Sequence, residues 1–319
     1  MTPRVEIPRL RLNDGRYMPA VGIGCWMGRV GEGEHVVRMV KTALGLGYRH
    51  IDTASNYGNE ASVGRAIRES GVPREEIFLT TKLASKDHGR VAAALDRSLE
   101  KLGVEYVDLF LMHWPQTLLQ NGEALQPNES PTLVETWHAM EDLLSSGKTR
   151  SIGVSNFSIK TLTTLLLHAL IVPTVNQVEA HPCLPQHALL AFCESKGIRV
   201  TAYSPLGRNK YAGEDVDVVR IARQRGVSPP CVLLSWGVQR GTTVVPKSED
   251  KRRMKENIEI ISLTEEEMRV LDRMHEKPGM HRSVCVFHSE ALGGSCFGWT
   301  YKQLGWDMGV GGVVRAGSE

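Results

Sequence analysis

The chain has 319 residues, 41% of them hydrophobic and 23% charged, with 38 basic side chains against 36 acidic ones for a formal net charge of +2. That balance excludes intrinsic disorder and a general nucleic-acid binder, and the longest apolar runs, such as VDLFLM at Val107–Met112, are too short to span a bilayer. The cysteines (Cys25, Cys183, Cys193, Cys231, Cys285, Cys296) form no CxxC pair or zinc-spaced cluster, and MTPRVEIPRLRLNDGRYMP lacks the apolar core of a signal peptide, so a reducing, cytoplasmic setting is expected.

In chain order, an N-terminal β-hairpin is expected around Asn13–Gly15, and β-rich runs then alternate with helical ones. The first expected strand, Ala20–Gly24, precedes the helical run HVVRMVKTALGLG, and the second, Tyr48–Asp52, precedes EASVGRAIRES. Strands at Ile77–Lys82 and Val107–His113 precede GRVAAALDRSLEKLG and TLVETWHAMEDLLSSG. Strands at Thr149–Val154 and Thr174–Glu179 precede IKTLTTLLLHAL and QHALLAFCESKG. The last two strands, Ile198–Ser204 and Thr242–Pro246, flank VDVVRIARQRG. Several helical runs end in glycine, the usual left-handed stop.

Eight strand–helix units with no linker between them suit an α/β fold of the (β/α)8 TIM-barrel type, with an open doubly wound sheet as the structural alternative. The expectation is one domain over 1–319, with the barrel at about 18–275 and a C-terminal loop and tail at 276–319. A second long segment, Trp114–Ser130, follows the fourth strand; loops of such length are usually functional or disordered. The tail run SCFGWTYKQLGWDMG carries Phe297, Trp299, Tyr301 and Trp306, read as a cover over a pocket or, nearly as well, as an oligomer contact.

Chemistry in a parallel barrel gathers where the strands end. Here the second strand ends in Asp52 with Tyr57 just beyond, the third in Lys82 and the fourth in His113. Strand neighbours lie ~4.8 Å apart, so these four side chains can converge. A single strand-end Asp or Lys is usually a structural ion pair; four in consecutive units favour a site. The set suits carbonyl reduction: an ammonium at Lys82 lowers the pKa of the Tyr57 hydroxyl, ionised Asp52 keeps Lys82 charged, and His113 orients the carbonyl oxygen. No candidate metal cage accompanies them, so the hydride must come from an organic cofactor.

The motifs GYRHIDTASNYGNE, TTKL, DLFLMHWP, SIGVSNF, VNQVEAHP, AYSPLG and VPKSEDKRRMKEN, in this order, make the chain resemble the aldo-keto reductase family over most of its length, in particular fungal-type NADPH-dependent aldehyde and sugar reductases. The resemblance implies an NADPH-dependent reductase with Tyr57 as general acid, tuned by Lys82 and Asp52, and with His113 orienting a small-molecule carbonyl substrate. It also leaves open a binding subunit that keeps barrel and cofactor but has little turnover. A monomer or weak homodimer is expected.

The run GIGCWMG at Gly22–Gly28 mimics a dinucleotide fingerprint, but its spacing is GxGxxxG and no acidic residue follows at the proper distance. Gly22 and Gly24 instead allow backbone close to a nicotinamide, or simply make a tight turn; Cys25, Trp26 and Asp52 are counted with the cofactor set. Trp26 and Trp114 are read as apolar walls of the substrate pocket. Ser155, Asn156 and Gln177 offer hydroxyl and amide groups for a carboxamide, and Tyr203 a ring to stack on the nicotinamide. Ser204, Leu206 and Gly207, by the resemblance, line the pyrophosphate. In the eighth unit the resemblance assigns Lys247, Ser248 and Arg253, next to Pro246, to the 2′-phosphate of NADPH, and Glu256 and Asn257 to the adenine; phosphate recognition uses such basic clusters. Ala180 stands where relatives commonly carry a larger residue, and TLLQNGEALQPNESP has no family signature, which leaves the substrate open among aldoses, polyol aldehydes, aromatic aldehydes and ketones.

Overall fold

The computed structural model describes residues 4–31, 33–209, 214–288 and 293–314; the last five positions of the expected tail lie outside the described residues. Eight strands, β1 (Ile23–Gly24), β2 (His50–Asp52), β3 (Phe78–Leu83), β4 (Val107–Met112), β5 (Thr149–Ser155), β6 (Val175–Glu179), β7 (Arg199–Tyr203) and β8 (Thr243–Val244), pair in sequence order, every pairing parallel. All residues of β3 and β4 are buried, because helices cover the outer face and side-chain layers fill the inner one. The ring closes where Val244 N donates to Ala20 O (2.8 Å), Gly22 N to Val244 O (2.9 Å) and Gly24 N to Pro246 O (3.0 Å), with a parallel bridge between Val21 and Val244. This is the expected (β/α)8 barrel, and the open doubly wound alternative falls with the closure.

The outer helices bury one face each. In α1 (Glu34–Gly45) the buried side chains are Val36, Val37, Met39, Val40, Ala43 and Leu44, at helical spacing. The helices α2 (Glu60–Ser70), α3 (Val91–Leu102), α4 (Leu133–Asp142), α5 (Ile159–Leu166) and α6 (His187–Ser195) follow β2 to β6 in turn. Thr132 and Ser158 box the N-termini of α4 and α5 with Glu135 and Thr161. Between β7 and β8 the chain makes two helices, α7 (Val216–Arg225) and α8 (Pro229–Gln239), where one was expected. In α8 eight consecutive residues, Cys231–Val238, are buried, so PPCVLLSWGVQ carries no amphipathic period to read. Two further helices, α9 (Lys251–Ile258) and α10 (Glu265–Asp272), follow β8.

Extra segments close both mouths of the barrel. The expected hairpin pairs Arg9–Arg11 with Tyr17–Pro19 and drives Leu12 and Met18 against Phe78, Leu109, Leu111 and Val175 at the strand beginnings. At the strand-end mouth the C-terminal segment is fastened by Gln116 Nε2 to Cys296 O (3.0 Å), Trp299 Nε1 to Leu125 O (2.6 Å) and Ser158 Oγ to Leu304 O (2.6 Å). The aromatic tail therefore lies over the barrel mouth. Among the described residues no helix is long and apolar enough to cross a membrane.

Candidate active site

The four strand-end residues meet. Lys82, wholly buried, donates from Nζ to Asp52 Oδ1 (2.7 Å), to Thr53 O (2.8 Å) and to the Tyr57 hydroxyl (3.3 Å), which uses the three donors of an ammonium. Tyr57 reaches it from a single 3-10 turn, Ser55–Tyr57, closed by Gly58 at φ 64°. Asn59 holds that turn, accepting from Thr53 Oγ1 (2.9 Å) and donating to Cys25 O (2.8 Å), while Ser55 Oγ donates to Lys82 O (2.8 Å). The five-residue step from Asp52 to Tyr57 is thus the length of one braced turn. His113 packs its ring edge-on to Tyr57, centroids 5.8 Å apart, and the Trp26 ring lies tilted against Tyr57 at 5.1 Å.

Burial alone would discharge Lys82, but Asp52 and Tyr57 overcome it and its pKa stands above the ordinary lysine value. Tyr57 corrects an expectation: burial raises its pKa, and the opposing pull of Lys82 does not bring it below the ordinary tyrosine value. Its hydroxyl is protonated at neutral pH, with the ammonium limiting the rise. Burial, then Lys82, hold His113 well below the usual imidazole range, so it is neutral. His113 Nδ1 is buried with no partner among the described residues; an orphaned lone pair is tolerated better than an orphaned N–H, which assigns the proton to Nε2, as a donor.

The remaining strand ends are tied into the same network. Gln177, on β6, donates from Nε2 across the barrel to Asp52 Oδ2 (2.7 Å). Ser155 Oγ donates to Gln177 O (2.8 Å), Asn156 Nδ2 to His113 O (2.9 Å), and Tyr203 Oη to Asn156 Oδ1 (2.8 Å). Asn156 and Ser204 sit at φ 64° and 50°, in the left-handed region that non-glycine residues enter at a cost and that recurs at functional sites. Cys25 brings only backbone to the cavity, because its side chain is fully buried and points back to Ile23 O (3.9 Å). Trp114 stands against Phe287 (5.2 Å) and Phe297 (4.9 Å), both from the C-terminal segment.

Glu179, at the end of β6, was not read from the sequence. Its buried carboxylate accepts from His181 Nε2 (3.1 Å), Val284 N (2.7 Å) and Ser283 Oγ, the last two lying in the C-terminal segment. Burial would raise its pKa, yet these donors hold it below the usual carboxylate value. Glu179 ends the VNQVE run, but nothing local to it names a partner more than a hundred residues on.

The eighth unit fits a dinucleotide with a 2′-phosphate. Pro246 is buried beside β1, Ser248 is buried and accepts from Asp250 N (3.2 Å), and the exposed Arg253 side chain makes no ion pair among the described residues. Asn257, 2% exposed, has an Oδ1 with no partner among the described residues, an acceptor suited to an exocyclic amine. Lys247 pairs with Glu249 (2.6 Å) and Glu256 with Arg252 (2.8 Å), so these two would have to exchange partners to meet a ligand. At Gly24, extended at the end of β1, an added Cβ would lie 2.7 Å from Val245 O, so the missing side chain serves the close approach of the two strand ends where the barrel closes. Leu206 is partly buried and Gly207 buried after β7.

Comparison with known proteins gives a match to the model of the Aldo/keto reductase family over residues 20–276. The chain is 45% identical over 279 residues to a D-galacturonate reductase of Hypocrea jecorina, covering 82% of this chain and 88% of that one. It is 44% identical to a glycerol 2-dehydrogenase (NADP(+)) of Saccharomyces cerevisiae, covering 86% and 93%. Among solved structures, the Bombyx mori aldo-keto reductase in complex with NADP superposes with a TM-score of 0.78 at 37% identity, covering 84% of this chain and 93% of that one.

Proposed function

The chain belongs to the aldo/keto reductase family, NADP-dependent oxidoreductases of carbonyl compounds, and from that premise we propose that it reduces an aldehyde or ketone to the alcohol with Tyr57 as proton donor. One observation carries the reading: a fully buried ammonium, Lys82, lies between a carboxylate at 2.7 Å and a phenol at 3.3 Å. A salt bridge needs the first contact and has no use for the second. The comparisons lend no support to the alternative of a regulatory subunit.

NADPH, when bound, supplies the hydride. Lys247, Ser248 and Arg253 would hold its 2′-phosphate, Glu256 and Asn257 its adenine, Ser204, Leu206 and Gly207 the pyrophosphate, and Ser155, Asn156, Gln177 and Tyr203 the nicotinamide. His113 Nε2–H donates to the substrate oxygen and fixes it beside the Tyr57 hydroxyl. As negative charge grows on that oxygen, Tyr57 gives up its proton, and Lys82, held charged by Asp52, stabilises the phenolate left behind. Trp26, Trp114 and Phe297 exclude water and give the pocket apolar walls suited to aldoses, small polyol aldehydes and aromatic aldehydes. We read the whole chain as one working unit, a monomer or weak homodimer in the cytoplasm; the six cysteines, free and buried, support a reducing compartment.

The test follows NADPH oxidation with glyceraldehyde, xylose, erythrose, galacturonate and nitrobenzaldehyde. Tyr57→Phe should lower turnover on every accepted substrate by at least about 100-fold. A variant as fast as wild type across the panel removes Tyr57 from the reaction.

A further inference from the structure

The Asp52 carboxylate uses both oxygens, and in different directions. Oδ1 takes Lys82 at 2.7 Å; Oδ2 takes the Gln177 amide, also at 2.7 Å. These partners come from opposite walls, since β6 stands four strands from β2 around an eight-stranded ring. Gln177 and Asp52 are 2% and 3% exposed, so the contact is a dry, charge-assisted hydrogen bond. The amide's carbonyl oxygen, Oε1, takes no hydrogen bond from the described residues. Of the three bonds made by Lys82 Nζ, the one to Tyr57 is the longest at 3.3 Å, the first to be lost if the carboxylate turns.

We propose that Gln177 is a positioning residue for proton transfer: it fixes the rotation of the Asp52 carboxylate across the barrel, which keeps Lys82 within reach of the Tyr57 hydroxyl. Without the amide, Oδ2 is a buried acceptor with no partner, and the carboxylate turns to offer both oxygens to the ammonium. Lys82 then moves toward Asp52 and away from Tyr57, and the phenol loses the group that stabilises its conjugate base. The titratable groups facing this pair are Cys25 just after β1, His50 on β2, His113 just after β4 and Tyr203 on β7. Burial keeps the thiol, the imidazoles and the Tyr203 phenol uncharged at neutral pH, so Lys82 and Asp52 are the charges that govern Tyr57.

The inference rests on Tyr57 as the proton donor, and the experiment separates the two. Gln177→Met keeps length and volume and removes the donor. It should lower kcat for carbonyl reduction roughly 10- to 100-fold, the loss expected of a hydrogen bond to a charged group, and move the alkaline limb of the kcat profile up by about one pH unit. In the cofactor-free protein, the Tyr57 Cζ resonance of 13C-tyrosine-labelled material, assigned by its absence in Tyr57→Phe, should shift in Gln177→Met. Should Gln177→Met fail to fold, Gln177→Glu serves: protonated, it donates to Asp52 as the amide does, and ionised, it repels it, so kcat gains an extra break below the alkaline limb. A weakened Kd for NADPH with an unchanged resonance and pH profile, or no extra break in Gln177→Glu, overturns the proposal and leaves Gln177 a carboxamide ligand alone. A Tyr57→Phe variant that keeps wild-type turnover overturns the reading beneath it instead.

Discussion

Arg253 and Lys82 are both cations, and their surroundings divide the labour between them. Lys82 has no exposed surface and three acceptors, so its charge is committed inside the protein. The Arg253 side chain is exposed at the start of α9, and among the described residues only its backbone N–H is engaged, by Asp250 Oδ1 at 2.9 Å. An exposed guanidinium without an ion-pair partner is the group most ready to take a phosphate. Arg253→Ala should therefore raise the Kd for NADPH roughly 10- to 100-fold while leaving that for NADH nearly unchanged, measured by quenching of tryptophan fluorescence. Equal weakening of both cofactors would detach Arg253 from the 2′-phosphate. The four proposed catalytic residues were legible because Asp52, Lys82 and His113 close apolar runs in consecutive units and Tyr57 follows the first of them within one short turn. What stayed hidden was the bracing by Thr53 and Asn59, the reach of Gln177 to Asp52, and the clasp at Glu179. Each of these depends on a contact from another strand or segment, and no spacing within the sequence encodes it.

Among the elements, the packing of α2 on α3 shows propensity and sterics pulling in opposite directions. Gly64 lies in mid-helix, where alanine would be favoured by about 1 kcal/mol. An added Cβ there would stand 1.9 Å from Leu102 O, a backbone atom at the end of α3 that cannot swing aside. Overpacking of this kind costs about 1–3 kcal/mol, and here the obstacle is main chain, so sterics win. Gly64→Ala should destabilise the protein by about 2 kcal/mol net in urea unfolding; a stabilised variant would mean that the two helices can separate freely. The same contrast explains how far the elements could be read. Helices α1 to α7 present an apolar face against a polar one and were visible as periodic runs. Helix α8, between β7 and β8 and buried nearly all round, has no such signal. The strands at the closing seam are shorter than expected: β1 is Ile23–Gly24 instead of Ala20–Gly24, and β8 is Thr243–Val244 instead of Thr242–Pro246. At that seam single backbone bonds replace a continuous ladder, a difference apolar content does not reveal.

For the whole molecule, buried imidazoles set the acid limit. Burial lowers His50 to about 4 and His88 to about 3, from an ordinary value near 6.5. Between those values the unfolded chain binds protons that the native state refuses, so the stability they contribute is complete above about pH 6.5 and is lost as pH falls through the folded values. At pH 5 the loss is roughly 2 kcal/mol for each residue, a large share of the ~5–15 kcal/mol that holds a typical domain together. Urea midpoints should fall steadily from pH 7 to pH 5, and His88→Gln should flatten that slope; an unchanged slope would show that His88 takes up its proton in the folded state. The barrel closure has another consequence, one of timing. Val21 meets its partner only at Val244, some 220 positions later. During synthesis β1 can pair with β2 early, but its other edge has nothing to bind until the eighth strand has left the ribosome. A chain that pairs its strands as they emerge carries an open sheet with an unguarded margin until that strand arrives, the period in which it most needs shelter from neighbouring chains.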